Sequence, residues 1–145
     1  MPITSKQMIW EVIMTQKYFY IALFHKEENN GFWVSFPDFP ECLTRGDNMS
    51  AAYEMAVDAL GLALEDRIKE NNIPVARFLD EIEVEANSYS VIIEFDMLEY
   101  KRKHSSKPVK KTLSIPEWLN EEAIRNEINF SAVLQDALKA ELGIL

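Results

Sequence analysis

The most constraining stretch is Tyr18 to Phe24, which reads YFYIALF and holds no glycine, proline or charge. Aromatic and aliphatic side chains in an unbroken run predict a strand buried on both faces. Such a strand needs neighbours, and the residues after it supply them. HKEENNG is polar and ends in Asn30-Gly31, a dipeptide suited to the positive φ angles of a tight hairpin. Phe32 to Phe36, FWVSF, reads as the second strand. Pro37 and Pro40 each lack an N–H and are expected to stop the ladder. Cys42 to Arg45 can resume a short third strand before Gly46-Asp47 turns the chain, which completes an antiparallel meander.

A helix follows. Asn48 suits its N-cap, because the side-chain oxygen can take an orphan N–H of the first turn. Ala52, Met55, Ala56, Ala59, Leu60, Ala63 and Leu64 share one helical face, and charged residues occupy the others. Asn71-Asn72-Ile73-Pro74 ends the helix. Residues 75–87 are weakly patterned. Tyr89 to Phe95 reads as a further strand, and Asp96 can cap a helical turn through Tyr100. The expected class is α+β, a small antiparallel sheet with one long helix packed on it. At 48% hydrophobic residues, the chain of 145 can fill such a core. Its single cysteine excludes an internal disulfide framework. No apolar run reaches the roughly 18–20 residues that span a bilayer, and no secretory h-region is visible, so a cytoplasmic setting is expected.

The run from Gly31 to Pro74 resembles the N-terminal domain of HicB antitoxins. The resemblance rests on Gly31-Phe32, then Phe36-Pro37-Asp38, Pro40, Cys42, Thr44 and Gly46-Asp47, then the alanine-rich helix closed by Pro74. It implies a degenerate RNase H-like fold over residues 18–100, with residues 1–17 as an N-terminal extension and 101–108 as a basic linker. A working RNase H-type site needs convergent carboxylates holding two divalent metals about 4 Å apart. Asp38 and Asp47 lie in turn sequences that favour Asp for local hydrogen bonding, and Glu94 and Asp96 show no clustered partners. His25 and His104 are far apart in sequence and lack ligand spacing. Cys42 reads as a small buried residue. No enzymatic activity, metal or cofactor is expected.

Residues 109–145 follow a different pattern. In VKKTLSIP, Val109, Leu113 and Ile115 share a parity with Lys111, while Lys110, Thr112 and Ser114 share the other, which predicts a short strand with one apolar face. Pro116 opens a helix carrying Leu119, Ala123 and Ile124, with Trp118 beside them. Asn129 or Ser131 caps a second helix with Phe130, Val133, Leu134, Ala137, Leu138 and Leu142 on one face, ended by Gly143. Strand–helix–helix of this size buries too little to fold alone, and a lone strand leaves an unpaired edge. Both problems vanish if two copies pair strands and interlock helices. The segment resembles the ribbon–helix–helix module of the Arc and MetJ class of repressors, which one subgroup of HicB proteins carries. That resemblance implies a homodimer through this module, which contacts between N-terminal domains can extend to a tetramer.

The charge supports two modules. The formal net charge is −9, but residues 1–99 carry 18 acidic against 7 basic side chains, and residues 100–145 carry 6 against 8. A two-stranded ribbon fits the major groove, so Lys110, Thr112 and Ser114 are expected to meet base edges. The start of the second helix, near Asn129 and Ser131, is expected to hold a phosphate. The resemblance implies an antitoxin of a type II toxin–antitoxin pair that neutralises a HicA-like mRNA-cleaving toxin and represses its own operon at a pseudo-palindromic operator. Phe36, Asp38, Phe39 and Asp47 are the expected toxin contacts, on the reading that exposed aromatics and Asp lie together there. Two rival readings are a stand-alone regulator with a ligand-sensing N-terminal domain and an active RNase H-like nuclease.

Overall fold

The computed structural model describes residues 5–144. The chain divides between Lys107 and Pro108 into two compact units. In the first, the described elements are α1 (Ser5–Thr15), β1 (Lys17–Lys26), β2 (Phe32–Phe36), β3 (Phe39–Gly46), α2 (Met49–Lys69), a 3-10 turn (Leu79–Glu81), β4 (Ser88–Asp96) and α3 (Met97–His104). Among the described residues the strands form one sheet in the order β3-β2-β1-β4, antiparallel at every step. The first two strands of the expected meander lie where the sequence places them. α1 occupies most of the segment expected as an N-terminal extension, and α3 runs through Lys101 to His104, half of the expected linker.

β3 starts earlier than its prolines suggest. Pro40 lies inside it, and the pairing with β2 shifts register between Ser35 and Phe36. β3 is an edge strand, where a missing N–H can face away from the ladder at little cost.

One face of the sheet meets α2. Tyr18, Tyr20, Ala22 and Phe24 project from β1 at every second residue, and Phe36, Phe39, Ile93 and Phe95 join them from the other strands. The helix presents Ala52, Ala56, Leu60, Ala63 and Leu64 to these rings. Small residues bring the helix axis close, so the aromatic side chains fill the space between. Met55, expected on this face, is exposed, because the buried stripe is narrower than the apolar periodicity. Ile21 and His25 are buried on the opposite face of β1, but Phe19 on that face is exposed and Leu23 half-buried, so the two-sided burial expected of this strand is only partly met.

Both ends of α2 are closed. The Asn48 side chain accepts from the Ala51 N–H at 2.9 Å. At the other end Asn71 takes a left-handed conformation (φ 52°), Asn72 N–H donates to Arg67 O at 2.8 Å and Asn71 N–H to Ile68 O at 3.1 Å. This is the Schellman arrangement, with Asn in the position usually held by glycine.

The second unit contains α4 (Glu117–Arg125) and α5 (Phe130–Glu141). Asn129, not Ser131, caps α5, accepting from Ala132 N–H at 3.1 Å. Gly143, at φ 66°, ends it, with Ile144 N–H donating to Lys139 O at 2.8 Å. The strand expected over residues 109–116 is not formed; these residues carry no regular structure. A strand exists only in a ladder, and a single copy supplies no partner for this one. Among its described residues none is buried, and Leu113, Trp118, Ile124, Val133 and Leu138 are exposed.

Gly46 explains part of the sequence signature. A Cβ there would sit 2.2 Å from Ala52 N and 2.4 Å from Ala52 Cα, backbone atoms of the first turn of α2. Gly46→Ala should therefore lower stability by about 1–3 kcal/mol, or more if the helix must lift from the sheet. Urea unfolding of the full chain measures it; a midpoint equal to that of the parent would show that the turn relaxes freely.

Candidate partner-binding and DNA-binding surfaces

The residues expected to meet DNA lie on the second unit. Lys110, Thr112 and Ser114 are exposed, on the segment without regular structure. Lys111, Val109 and Ile115 are exposed with them, so the predicted division into two faces is not expressed in a single copy. The Asn129 side chain is engaged in its cap, and the Ser131 hydroxyl accepts from Gln135 Nε2 at 3.1 Å. What remains at the start of α5 are backbone N–H groups, the donors a phosphate would use.

The exposure expected of the aromatic residues Phe36 and Phe39 is not found. Phe36 is 1% exposed and Phe39 fully buried. The Phe39 ring meets Tyr20 edge-on at 4.7 Å and stands perpendicular to Phe36 at 6.5 Å. They are core residues, because the turn between β2 and β3 folds its aromatic side chains under α2. The Asp38 side chain is 5% exposed and pairs with Arg77 at 2.8 Å. Asp47 is open to solvent and pairs with Arg45 at 3.0 Å.

The carboxylates considered for metal chemistry are engaged separately. Asp38 holds Arg77, Asp47 holds Arg45, Glu94 holds Lys17 at 2.8 Å, and Asp96 caps α3 by accepting from Glu99 N–H at 3.1 Å. Among the described residues no group of three or more His, Cys, Asp or Glu side chains is placed to hold a metal ion. Burial pushes the Cys42 thiol up to about 12, with Glu41 adding to the rise, so at neutral pH it stays protonated and a poor nucleophile.

His25 is the residue that sequence spacing missed. It lies opposite Trp33 on β2 and Ser88 on β4. Its ring stacks on Trp33 at 3.6 Å, Nδ1 lies 2.7 Å from Ser88 Oγ, and Nε2 lies 2.9 Å from Ser35 Oγ. The imidazole thus ties three strands together on the face away from α2. Strand register creates the group, so no local motif announces it.

The comparisons with known proteins follow this architecture. The family model of HicB-like antitoxins of bacterial toxin–antitoxin systems matches residues 20–137. A stretch of 44 residues is 52% identical to antitoxin HicB 1 of Photorhabdus laumondii; it covers 30% of this chain and 28% of that protein. In a solved toxin–antitoxin complex from Streptococcus pneumoniae, one chain is similar at a TM-score of 0.55 and 26% identity, over 87% of this chain and 99% of that one. Antitoxin HicB of Burkholderia pseudomallei is similar at a TM-score of 0.49 and 18% identity, over 83% of this chain and 96% of that one. The fold and the match along both units are those of the antitoxins of bacterial toxin–antitoxin systems. The chain belongs to the HicB-like antitoxin family.

The histidine gives a pH prediction. Burial holds His25 below its usual value of 6.5, with Glu85 opposing. The folded chain therefore takes up this proton less readily than the unfolded chain, and stability is full above about 6.5 and declines as pH falls below it. His25→Gln, which keeps a donor and an acceptor, should flatten that decline between about pH 7.5 and 5.5. Thermal melts across this range measure it; identical slopes in variant and parent would remove His25 from the pH response.

Proposed function

We propose that this chain neutralises a HicA-like, mRNA-cleaving toxin through its first unit and represses its own operon through paired second units. The observation that carries the reading is the family match, which runs from β1 into α5 and so takes in both units. The similar chain from Streptococcus pneumoniae, described as part of a toxin–antitoxin complex, supports a toxin partner. The excess of acidic side chains in residues 1–99 suits a basic, RNA-binding partner and speeds its encounter. Inhibition is by occlusion, with no chemistry on this chain.

Residues 108–144 support the second half of the reading. Their exposed apolar side chains are those that strand pairing and helix interlocking between two copies would cover. Pairing residues 109–116 of two copies turns Lys110, Thr112 and Ser114 onto one side of a ribbon that fits the major groove. Two copies double the positive charge of this half and place it along one surface. The N–H groups at the start of α5 then fix a phosphate on each side. The pair binds a pseudo-palindromic operator, and contacts between first units extend it to a tetramer. Acting on mRNA cleavage and operator DNA, the protein works in the cytoplasm.

Co-expression with the small open reading frame beside its gene tests the toxin half. That product should arrest growth alone and not with this chain; a harmless product, or one that stays toxic, ends the proposal. For the DNA half, a Lys110→Ala, Thr112→Ala double variant should lose operator affinity by about 1–3 kcal/mol per lost base contact and still neutralise the toxin. Operator affinity equal to that of the parent in a gel-shift titration would refute the ribbon assignment.

A further inference from the structure

The segment joining α2 to β4, residues 70–87, carries a single 3-10 turn and no ladder, yet it is fastened at several points. Tyr20 Oη donates to Pro74 O at 2.6 Å. Asp38 accepts from Arg77 Nε at 2.8 Å and from Arg77 N–H at 3.2 Å, and Arg77 Nη2 also reaches Pro37 O. The Glu81 carboxylate accepts from Phe78 N–H at 2.7 Å, and Lys26 N–H donates to Asn87 O at 2.9 Å. A segment held in this way presents a fixed surface.

That surface is unusual in what it shows. Val75 is 90% exposed and Phe78 76% exposed, with Leu79 and Val84 also open to solvent. Isolated apolar side chains on a surface are ordinary, but four within ten residues, including a phenylalanine, form the kind of patch that marks a contact site. Asp80, Glu81, Glu83 and Glu85 are interspersed with them, and Arg77, the one cation among residues 75–85, is engaged by Asp38. Arg77, Glu81 and Ile82 of the segment, with Leu23, Pro37 and Pro40, line an open groove of about 560 Å³. Carboxylates around apolar side chains repel nucleic acid and anionic lipid. They complement a cationic protein surface with an apolar centre.

We infer that residues 75–85 form the docking surface for a cationic protein partner. Resting on the proposed function, that partner is the basic face of the toxin. Phe78 supplies the apolar anchor, and the carboxylates around it supply orientation and on-rate. Asp38, expected to touch the toxin, instead holds the segment that does.

The test uses the full chain and the purified product of the neighbouring open reading frame, with affinity measured by calorimetry. Phe78→Ser and Glu83→Lys should each weaken binding about tenfold or more. The loss from Glu83→Lys should shrink at high salt and the loss from Phe78→Ser should persist. Both residues are exposed, so thermal melts should match the parent. Leu43→Ser, on the exposed outer face of β3, should bind as the parent does. If the parent binds and both segment variants bind equally well, the docking surface lies elsewhere and the antitoxin reading stands. If Leu43→Ser alone weakens binding, the sheet is the docking face and the inference is overturned. A change in oligomeric state without a change in toxin affinity would assign the patch to contacts between copies and overturn it too. A parent that does not bind the product removes the toxin reading and this inference together.

Discussion

The first unit depends on how closely α2 can approach the sheet. Ala52, Ala56 and Ala63 give the helix a low face, and the rings of Tyr20, Phe24, Phe36, Phe39 and Phe95 fill the space that larger helix residues would take. Gly46 carries the same requirement into the turn, since the first helical turn sits against its backbone. Gly61 carries it to the other side, where the Tyr100 ring of α3 lies on it. Arg67 closes the assembly from the helix. It pairs with Glu41 at 2.8 Å, and its guanidinium lies 5.8 Å from the centre of the Phe39 ring. The aromatic wealth of the sheet and the smallness of the helix face are thus two halves of one packing solution.

The closeness of this packing fixes what is left for function. With Phe36 and Phe39 drawn into the core, the turn between β2 and β3 gives its Asp38 carboxylate to Arg77 of the joining segment. The opposite face of the sheet is stitched by His25 across three strands. Residues 75–85, which belong to no strand or α-helix, carry Val75 and Phe78 open to solvent among carboxylates.

What could be read from the sequence was what neighbouring residues decide. The run Tyr18–Phe24, the Asn30-Gly31 hairpin and the Asn48 cap are local choices, and the structure carries them where the residues place them. The burial of Phe36 and Phe39 was not legible, because a Pro-Asp-Phe-Pro turn reads as surface until a helix folds over it. Met55 fits the helical period yet faces solvent, since periodicity marks a face and not its width. The Ser35–His25–Ser88 group depends on two strand registers at once. Met8, Ile9, Val12 and Ile13 of α1 do recur at helical spacing, so this helix was legible in part. Residues 109–116 show the opposite limit. Their alternation is clear, but a single copy holds nothing for them to pair with.

The second unit differs from the first in where its stability comes from. The first unit carries a buried core within its own chain. Residues 108–144 leave theirs open, and whatever covers them enters the folding equilibrium as a reactant. Each tenfold fall in the abundance of that cover costs about 1.4 kcal/mol of association free energy. With a second copy as the cover, as proposed, the second half of the polypeptide responds to how much of the protein remains, while the core of the first does not enter that balance.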